Sequence, residues 1–203
     1  MSDRINSEEI INLHRNSIIQ WKASGVVHQH QEFYRLVEEN HAFNYQLWHA
    51  EDRARRDDQG YEFVYQAKRE IDRFNQLRNN RMEAMDEWLF NQLRPADYNT
   101  CPVNSESPGM IIDRLSILSL KSYHMGLQTK REDVAEEHRN NCAHKLVIIN
   151  QQLEQLAQCF KELLEEVQAK KRTFRIYHQF KMYNDPTLNP QLYSREKNGK
   201  DLG

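Results

Sequence analysis

Apolar residues recur at alternating intervals of four and three along the segment 132–171. The series is Cys142, Leu146, Ile149, Leu153, Leu156, Phe160, Leu163 and Val167. This spacing is typical of one face of an α-helix that packs against a partner. The segment is therefore predicted to be a long helix that serves as the structural spine of an all-α bundle. A face of this length could also form a two-fold contact between two copies, so a homodimer is the alternative.

Four further helices precede this one. The first follows the capping residue Asn6 and ends at Gly25. The others are predicted over 32–55, 62–93 and 108–128. Pro95 stops the third helix, and Ser107 is the predicted N-cap of the fourth. The fold expected is an antiparallel bundle of about five long helices.

Composition narrows the class of protein further. The 203 residues include only 6 Gly and 5 Pro, which favours long helices over a sheet. The net charge of -2 gives no reason to expect a nucleic acid partner. No apolar run is long enough to span a membrane, and no signal peptide is visible. Three cysteines without C-x-x-C spacing favour reduced thiols, so the predicted location is cytoplasmic.

The helical periodicity stops after Arg172, which predicts two parts, a bundle domain over 1–172 and a C-terminal arm over 173–203. The arm is rich in aromatic residues, namely Phe174, Tyr177, Phe180, Tyr183 and Tyr193. Disordered tails are usually poor in aromatic residues. The arm is therefore expected to dock on the bundle or on a neighbouring subunit.

The third helix carries polar residues on its predicted inward stripe. The stripe comprises Val64, Lys68, Ile71, Asn75, Arg78, Met82, Met85 and Leu89. A lysine, an amide and an arginine facing inward are costly unless they are paired, hydrated or bound to an anion. Asp72 lies in the same stretch. This pattern is the strongest indication of a site in the sequence.

Polar residues also interrupt the second and fourth helices. On the second, His41, Asn44, Trp48 and Glu51 or Asp52 recur at intervals of three and four residues. They predict one wall of a polar pocket, or alternatively ion pairs and caps on a partly exposed helix. On the fourth helix, which is otherwise apolar and expected to be central, Asp113 and Arg114 require partners. An internal salt bridge is the simpler explanation for these two residues.

The sequence offers little support for a helix-start anion site, a metal site or a nucleotide-binding motif. The segment 105–109 offers free N–H groups at a helix start, a weak indication of anion binding. Glu38 and His41 have the spacing of di-iron helices, but neither His124 nor His138 has the glutamate three residues earlier that a second motif requires. No phosphate-binding loop or dinucleotide fingerprint occurs. No metal or cofactor is therefore predicted.

Several runs of the sequence resemble the bacterial family called domain of unknown function 4254. They are 40–55 (NHAFNYQLWHAEDRAR), 68–76 (KREIDRFNQ), 105–121, which contains SESPG and DRLSIL, and 181–186 (KMYNDP). The resemblance implies a bacterial cytoplasmic protein whose genes often lie near glycosyltransferases of cell-envelope polysaccharide assembly. It implies no particular chemistry.

Two functional hypotheses follow. In the first, a pocket binds a small anionic ligand such as a sugar phosphate or a nucleotide sugar, with or without catalysis. The expected ligand-binding residues are Asn44, Lys68, Asp72, Asn75, Arg78, Asp113 and Arg114, and the acid–base candidates are His41 and Glu51. In the second, the protein is a non-catalytic accessory of a glycosyltransferase, and these polar residues form a structural network.

Overall fold

The computed structural model describes residues 5 to 192, apart from the side chain of Asn184. Its five long α-helices are α1 (Ser7–Ser24), α2 (Glu32–Arg53), α3 (Tyr61–Leu93), α4 (Pro108–Gln128) and α5 (Glu136–Gln168). Short 3-10 turns cover Asp57–Gln59 and Met182–Asn184. Between residues 5 and 192 no strand forms, and Val103 and Thr173 make an isolated bridge. The predicted all-α class is confirmed.

Helices α2 and α3 pack along each other as an antiparallel hairpin. Their cross-helix contacts show this, because partner numbers on α3 rise as those on α2 fall: Arg53 with Glu70, Asn44 with Arg78, Glu39 with Arg81, and Phe33 with Trp88. Near the turn the helices are joined by small buried residues, Ala50, Ala54 and Ala67, together with Ile71. Alanine allows the backbones to approach closely there.

Helix α4 is the centre of the bundle, as its apolar sequence predicts. It contacts each of the other four long helices. Ser107 caps it by accepting a hydrogen bond from the Met110 N–H at 3.3 Å. The main core surrounds it with large buried side chains that include Met85, Leu89, Ile112, Leu115, Leu153 and Phe160. Burial of each such side chain contributes about 1.5–3 kcal/mol.

Helix α5 is shorter than predicted at its start. Residues 132–134 form bends, and the side chain of Asp133 pairs there with Arg131 at 2.6 Å. The predicted seam otherwise faces the core, with Leu153, Phe160, Leu163 and Val167 all buried.

The first part of the predicted arm lies against the bundle. Phe174 is buried, with its ring 6.0 Å from that of Phe90 on α3. The Gln179 N–H donates to the Glu83 carboxylate at 2.7 Å. Farther along, Phe180 is 83% exposed. Residues 193–203 of the predicted arm lie outside the described range.

None of the helices within residues 5 to 192 combines the length and the apolar character needed to cross a membrane.

Candidate functional site

A pocket of about 340 Å³ opens between α2, α3 and α4. Its lining combines apolar and charged side chains: Asn44, Leu47, Trp48, Glu51, Asp52, Arg55, Arg78, Ile117 and Leu120. The helical register explains this set, because the residues from α2 recur at intervals of three and four and therefore share one face. A concave site with apolar walls and a few polar groups is typical of small-molecule binding.

Beneath the pocket lies a buried carboxylate, Asp113 of α4. Its Oδ1 accepts hydrogen bonds from the side-chain amides of Asn40 at 3.0 Å and Asn44 at 2.9 Å. The same oxygen lies 3.6 Å from Nε of Arg78. A buried carboxylate is tolerated when hydrogen bonds and an opposite charge compensate for its lost hydration. Asp113 thus joins α2, α3 and α4 at the base of the pocket.

A directional hydrogen-bond chain extends from Arg78 to α1. Arg78 Nη1 donates to Asn44 Oδ1 at 3.4 Å, and Asn44 Nδ2 donates to Ser116 Oγ at 2.9 Å. His41 Nε2 lies 3.0 Å from the backbone carbonyl of His14, which can only accept, so Nε2 carries the proton. His41 Nδ1 is then an acceptor, and the Ser116 hydroxyl donates to it at 2.7 Å.

His41 is part of this structural chain and does not line the pocket. Its side chain is fully buried, and both ring nitrogens have partners within the protein. Burial lowers the pKa of His41 to about 3, although the His14 carbonyl opposes this shift. A neutral imidazole sealed from the cavity has no path for exchanging a proton with a ligand there.

Arg78 lies at the junction of the network and the cavity. Its side chain is 23% exposed. Among the described residues, the polar partners of its guanidinium are Asn44 and Asp113, both at long distances. The buried Nε makes no hydrogen bond with any described residue. A guanidinium has five N–H donors, and of its two terminal nitrogens only Nη1 donates to a described residue, so donors of Nη2 are available for a ligand.

The rim of the pocket carries the other charged groups. The Glu51 carboxylate accepts from Arg55 Nη1 at 2.7 Å, and Asp52 is exposed beside it. Trp48 forms an aromatic wall, and its indole stacks on His124 with ring centroids 4.4 Å apart and an angle of 6°. This stacking holds the tryptophan in place at the cavity.

The structure brings together part of the predicted site. Asn44, Glu51 and Arg78 line the pocket, and Asp113 lies directly beneath it. The prediction that Lys68 faces inward is wrong, because Lys68 is exposed and its neighbour Ala67 takes the buried position. A straight α-helix drifts from a strict 3.5-residue repeat, which moves the stripe by one position at this end of α3.

Three other predicted residues lie away from the cavity. Asp72 is exposed and lies 3.5 Å from Arg69 on the same helix. Asn75 is half-buried and is not among the lining residues. Arg114 points to solvent and pairs with Glu106 at 2.6 Å, so the predicted salt bridge of this residue is a surface one.

The predicted anion position at the start of α4 is already filled by the protein. The backbone N–H of Gly109 donates to Oδ1 of Asp86 on α3 at 2.6 Å. A side chain at position 109 would have no room, since a Cβ there would lie 2.4 Å from the Met82 carbonyl oxygen. The run Ser107-Pro108-Gly109 therefore permits the close contact between α3 and α4.

Sequence reasoning missed several members of the network, chiefly Asn40 and Ser116. Ser116 follows Asp113 by three residues and thus shares its face of α4, and this spacing was the signal available in the sequence.

Glu38, considered above as a metal ligand, instead accepts hydrogen bonds from the backbone N–H groups of Gln29 and His30. No group of three or more potential ligands suited to a metal occurs between residues 5 and 192.

Comparison with known proteins places this architecture in a family. The family model described as Protein of unknown function (DUF4254) matches residues 34–176. That range holds all but the first two residues of α2, all of α3 to α5, and every residue that lines the pocket. No curated protein and no solved structure gave a significant match. Since the match covers more than half of the chain, this protein belongs to the DUF4254 family.

Proposed function

We propose that the pocket between α2, α3 and α4 binds a small anionic sugar derivative, either a sugar phosphate or a nucleotide sugar. The single observation that carries this proposal is Arg78, a half-buried guanidinium at the cavity with donors that the described protein groups do not use. We further propose a role in cell-envelope polysaccharide biosynthesis in the bacterial cytoplasm. That context rests on the family resemblance.

The charge distribution favours a ligand with one anionic end. On α3, the positively charged Arg78 has donors without a partner in the described part of the chain, whereas the α2 rim carries the negatively charged carboxylates of Glu51 and Asp52. Carboxylates repel a phosphate but accept hydrogen bonds from hydroxyl groups. A polyhydroxylated molecule would therefore place its phosphate at Arg78 and its hydroxyl groups at the α2 rim.

The shape of the cavity supports the same class of ligand. Trp48 presents an apolar aromatic surface suited to the C–H face of a sugar ring. The volume of about 340 Å³ lies at the lower end of the range of ligand pockets, roughly 300–1,000 Å³. This size favours a sugar phosphate, or the sugar phosphate portion of a nucleotide sugar.

If the pocket is catalytic, Glu51 is the acid–base candidate. Its carboxylate lies at the rim, where Arg55 holds it at 2.7 Å. His41 is not a candidate, because it is sealed in the hydrogen-bond chain below the cavity. Binding requires no reaction at Glu51, and the proposal concerns binding first.

A second candidate function is that of an accessory protein for a glycosyltransferase. Exposed apolar side chains favour it, among them Val147 and Ile148 on α5 and Phe180 and Tyr183 in the arm. Such side chains are typical of protein contacts. The same α5 residues would serve a homodimer.

Sedimentation equilibrium tests the homodimer. A dimer that Ile148→Asp dissociates supports the α5 contact, and a monomer at all concentrations rejects the homodimer.

The pocket is tested by thermal unfolding of the purified protein with a panel of sugar phosphates, nucleotide sugars and the corresponding free sugars. A ligand at 100 times its Kd stabilises the folded state by about 2.7 kcal/mol. We expect at least one phosphorylated compound to raise the unfolding midpoint. Asp52→Ala and Arg78→Gln should each reduce this shift, because both residues line the cavity.

Lys68→Ala is the matched control, since it removes a cation from α3 outside the pocket. It should leave the ligand-induced shift unchanged. Asp52 is exposed, so Asp52→Ala should remain folded even if Arg78→Gln does not. A panel in which no compound raises the midpoint of the wild-type protein overturns the proposal.

A further inference from the structure

The arm approaches the pocket by running antiparallel to α3. Phe174 contacts Phe90, and four to five residues later His178 and Gln179 contact Glu83. Each step along the arm thus reaches a lower residue number on α3. Continued in this direction, Lys181 arrives near Arg78, one of the two arginines that line the pocket.

Lys181 is half-buried and lies within electrostatic range of two α3 side chains. Burial lowers the pKa of its ammonium group, and the positive charge of Arg78 lowers it further, while Asp72 acts in the opposite direction. Two cations held close together repel each other. The fold nevertheless places Lys181 near Arg78, which lines the pocket.

The nearby carboxylates compensate this charge only in part. Asp72 is 62% exposed and also pairs with Arg69 at 3.5 Å. Asp113 is buried on the α4 side of Arg78, where it accepts hydrogen bonds from Asn40 and Asn44. An anion that contacts both Lys181 and Arg78 would relieve their repulsion and use the available guanidinium donors.

We propose that Lys181 and Arg78 together form the subsite for the phosphoryl group of the ligand. This inference rests on the proposed function of the pocket and adds a residue of the arm, beside Arg78, to the groups that bind the ligand. The phosphate lies on the α3 side between the two cations, and the sugar lies toward Trp48 and Asp52 on α2. Binding of the phosphate fastens residues 178–182 of the arm against α3.

The test compares wild-type protein with Lys181→Met, which removes the charge but keeps the length of the side chain. Arg175→Met is the matched control, because Arg175 lies in the same arm but stacks on Tyr98 at 4.1 Å, away from the pocket. Calorimetric titration with the sugar phosphate that gives the largest thermal shift measures Kd. Inorganic phosphate and the corresponding free sugar are titrated separately.

We expect Lys181→Met to raise the Kd of the sugar phosphate by about ten-fold or more, as for the loss of a charge-assisted hydrogen bond. The Kd of the free sugar should not change, and Arg175→Met should behave as the wild type. Circular dichroism establishes that all three proteins are equally helical.

The other outcomes separate the two proposals. A sugar phosphate that binds wild type and Lys181→Met equally leaves the pocket intact and overturns the role of Lys181. Inorganic phosphate that binds wild type but not Lys181→Met, with no effect of any sugar compound, supports the subsite and rejects the sugar pocket. Absence of binding by phosphate and by every sugar phosphate overturns both.

Discussion

At the scale of single residues, burial and hydrogen bonding differ between two adjacent residues for which the sequence predicts the same environment. Asp113 and Arg114 are adjacent on α4, and the sequence predicts internal partners for both. Asp113 is buried and accepts two amide hydrogen bonds, whereas Arg114 pairs with Glu106 at the surface. The difference follows from the 100° rotation between consecutive helical residues, which places only one of them toward α2 and α3.

Asp113→Asn should destabilise the protein by about 3 kcal/mol. The amide group of the new asparagine would face the Asn40 and Asn44 donors, and Arg78 would lose its nearest carboxylate. Arg114→Ala is the control from the adjacent position and should change stability by no more than about 0.5 kcal/mol. Urea unfolding followed by circular dichroism measures both, and equal effects would contradict this assignment of the network.

At the scale of elements, contacts between helices depend on small residues that periodicity alone does not mark. The pattern of the sequence predicts an inward stripe of α3 through Lys68, yet Ala67 holds the buried position against Ala50 and Ala54 at the end of α2. Alanine contributes little to an apolar pattern but permits close packing. Similarly, the contact between α3 and α4 depends on Gly109, which lies over the Met82 carbonyl.

Substitution of alanine for either of two glycines in α4 should change the stability of the protein, but in opposite directions. Gly109→Ala should destabilise the protein by about 3 kcal/mol or more, because the added carbon would meet backbone at 2.4 Å and displace the Asp86 carboxylate. Gly126→Ala should stabilise it by up to about 1 kcal/mol, since the nearest side-chain atom is 4.0 Å away and alanine favours the helix. The two unfolding midpoints should therefore move in opposite directions. If Gly109→Ala has no effect, α3 and α4 do not approach each other as described.

At the scale of the whole molecule, the buried groups Asp86, His14 and His41 have opposing effects on how stability depends on pH. Burial raises the pKa of Asp86 to about 7, although the Ser107 hydroxyl and the Gly109 N–H oppose this shift. Burial lowers the pKa of His14 and of His41. Asp86 therefore contributes stability at low pH that is lost as the pH rises through about 7. The two histidines contribute stability above about 6.5 that is lost as the pH falls.

These opposed terms predict maximal stability near neutral pH. Between pH 6 and 4.5 the histidines whose pKa burial lowers, His14 and His41 together with His28 and His124, outweigh Asp86, so the free energy of unfolding should fall as the pH falls. Asp86→Asn removes the opposing group and should make this fall steeper by about 1.4 kcal/mol per pH unit. The amide oxygen of the new asparagine can still accept a hydrogen bond from the Gly109 N–H. Urea unfolding at half-unit pH intervals measures the slopes.

Asp72→Asn is the control for this pH series, because Asp72 is an exposed carboxylate on the same helix. Its profile should match that of the wild type. An Asp86→Asn profile with the wild-type slope below pH 6 would show that Asp86 is not protonated in the folded protein.

The sequence by itself determined the elements of this protein. Caps at Asn6 and Ser107, Pro95 after α3, and repeats of three and four residues are local features, and they located the five helices, with the largest error at the start of α5. Tertiary structure alone decided which polar groups meet. A one-residue change in helix phase moved Lys68 out to solvent, and the arm carried Lys181 to Arg78 across a separation in sequence that no periodicity spans.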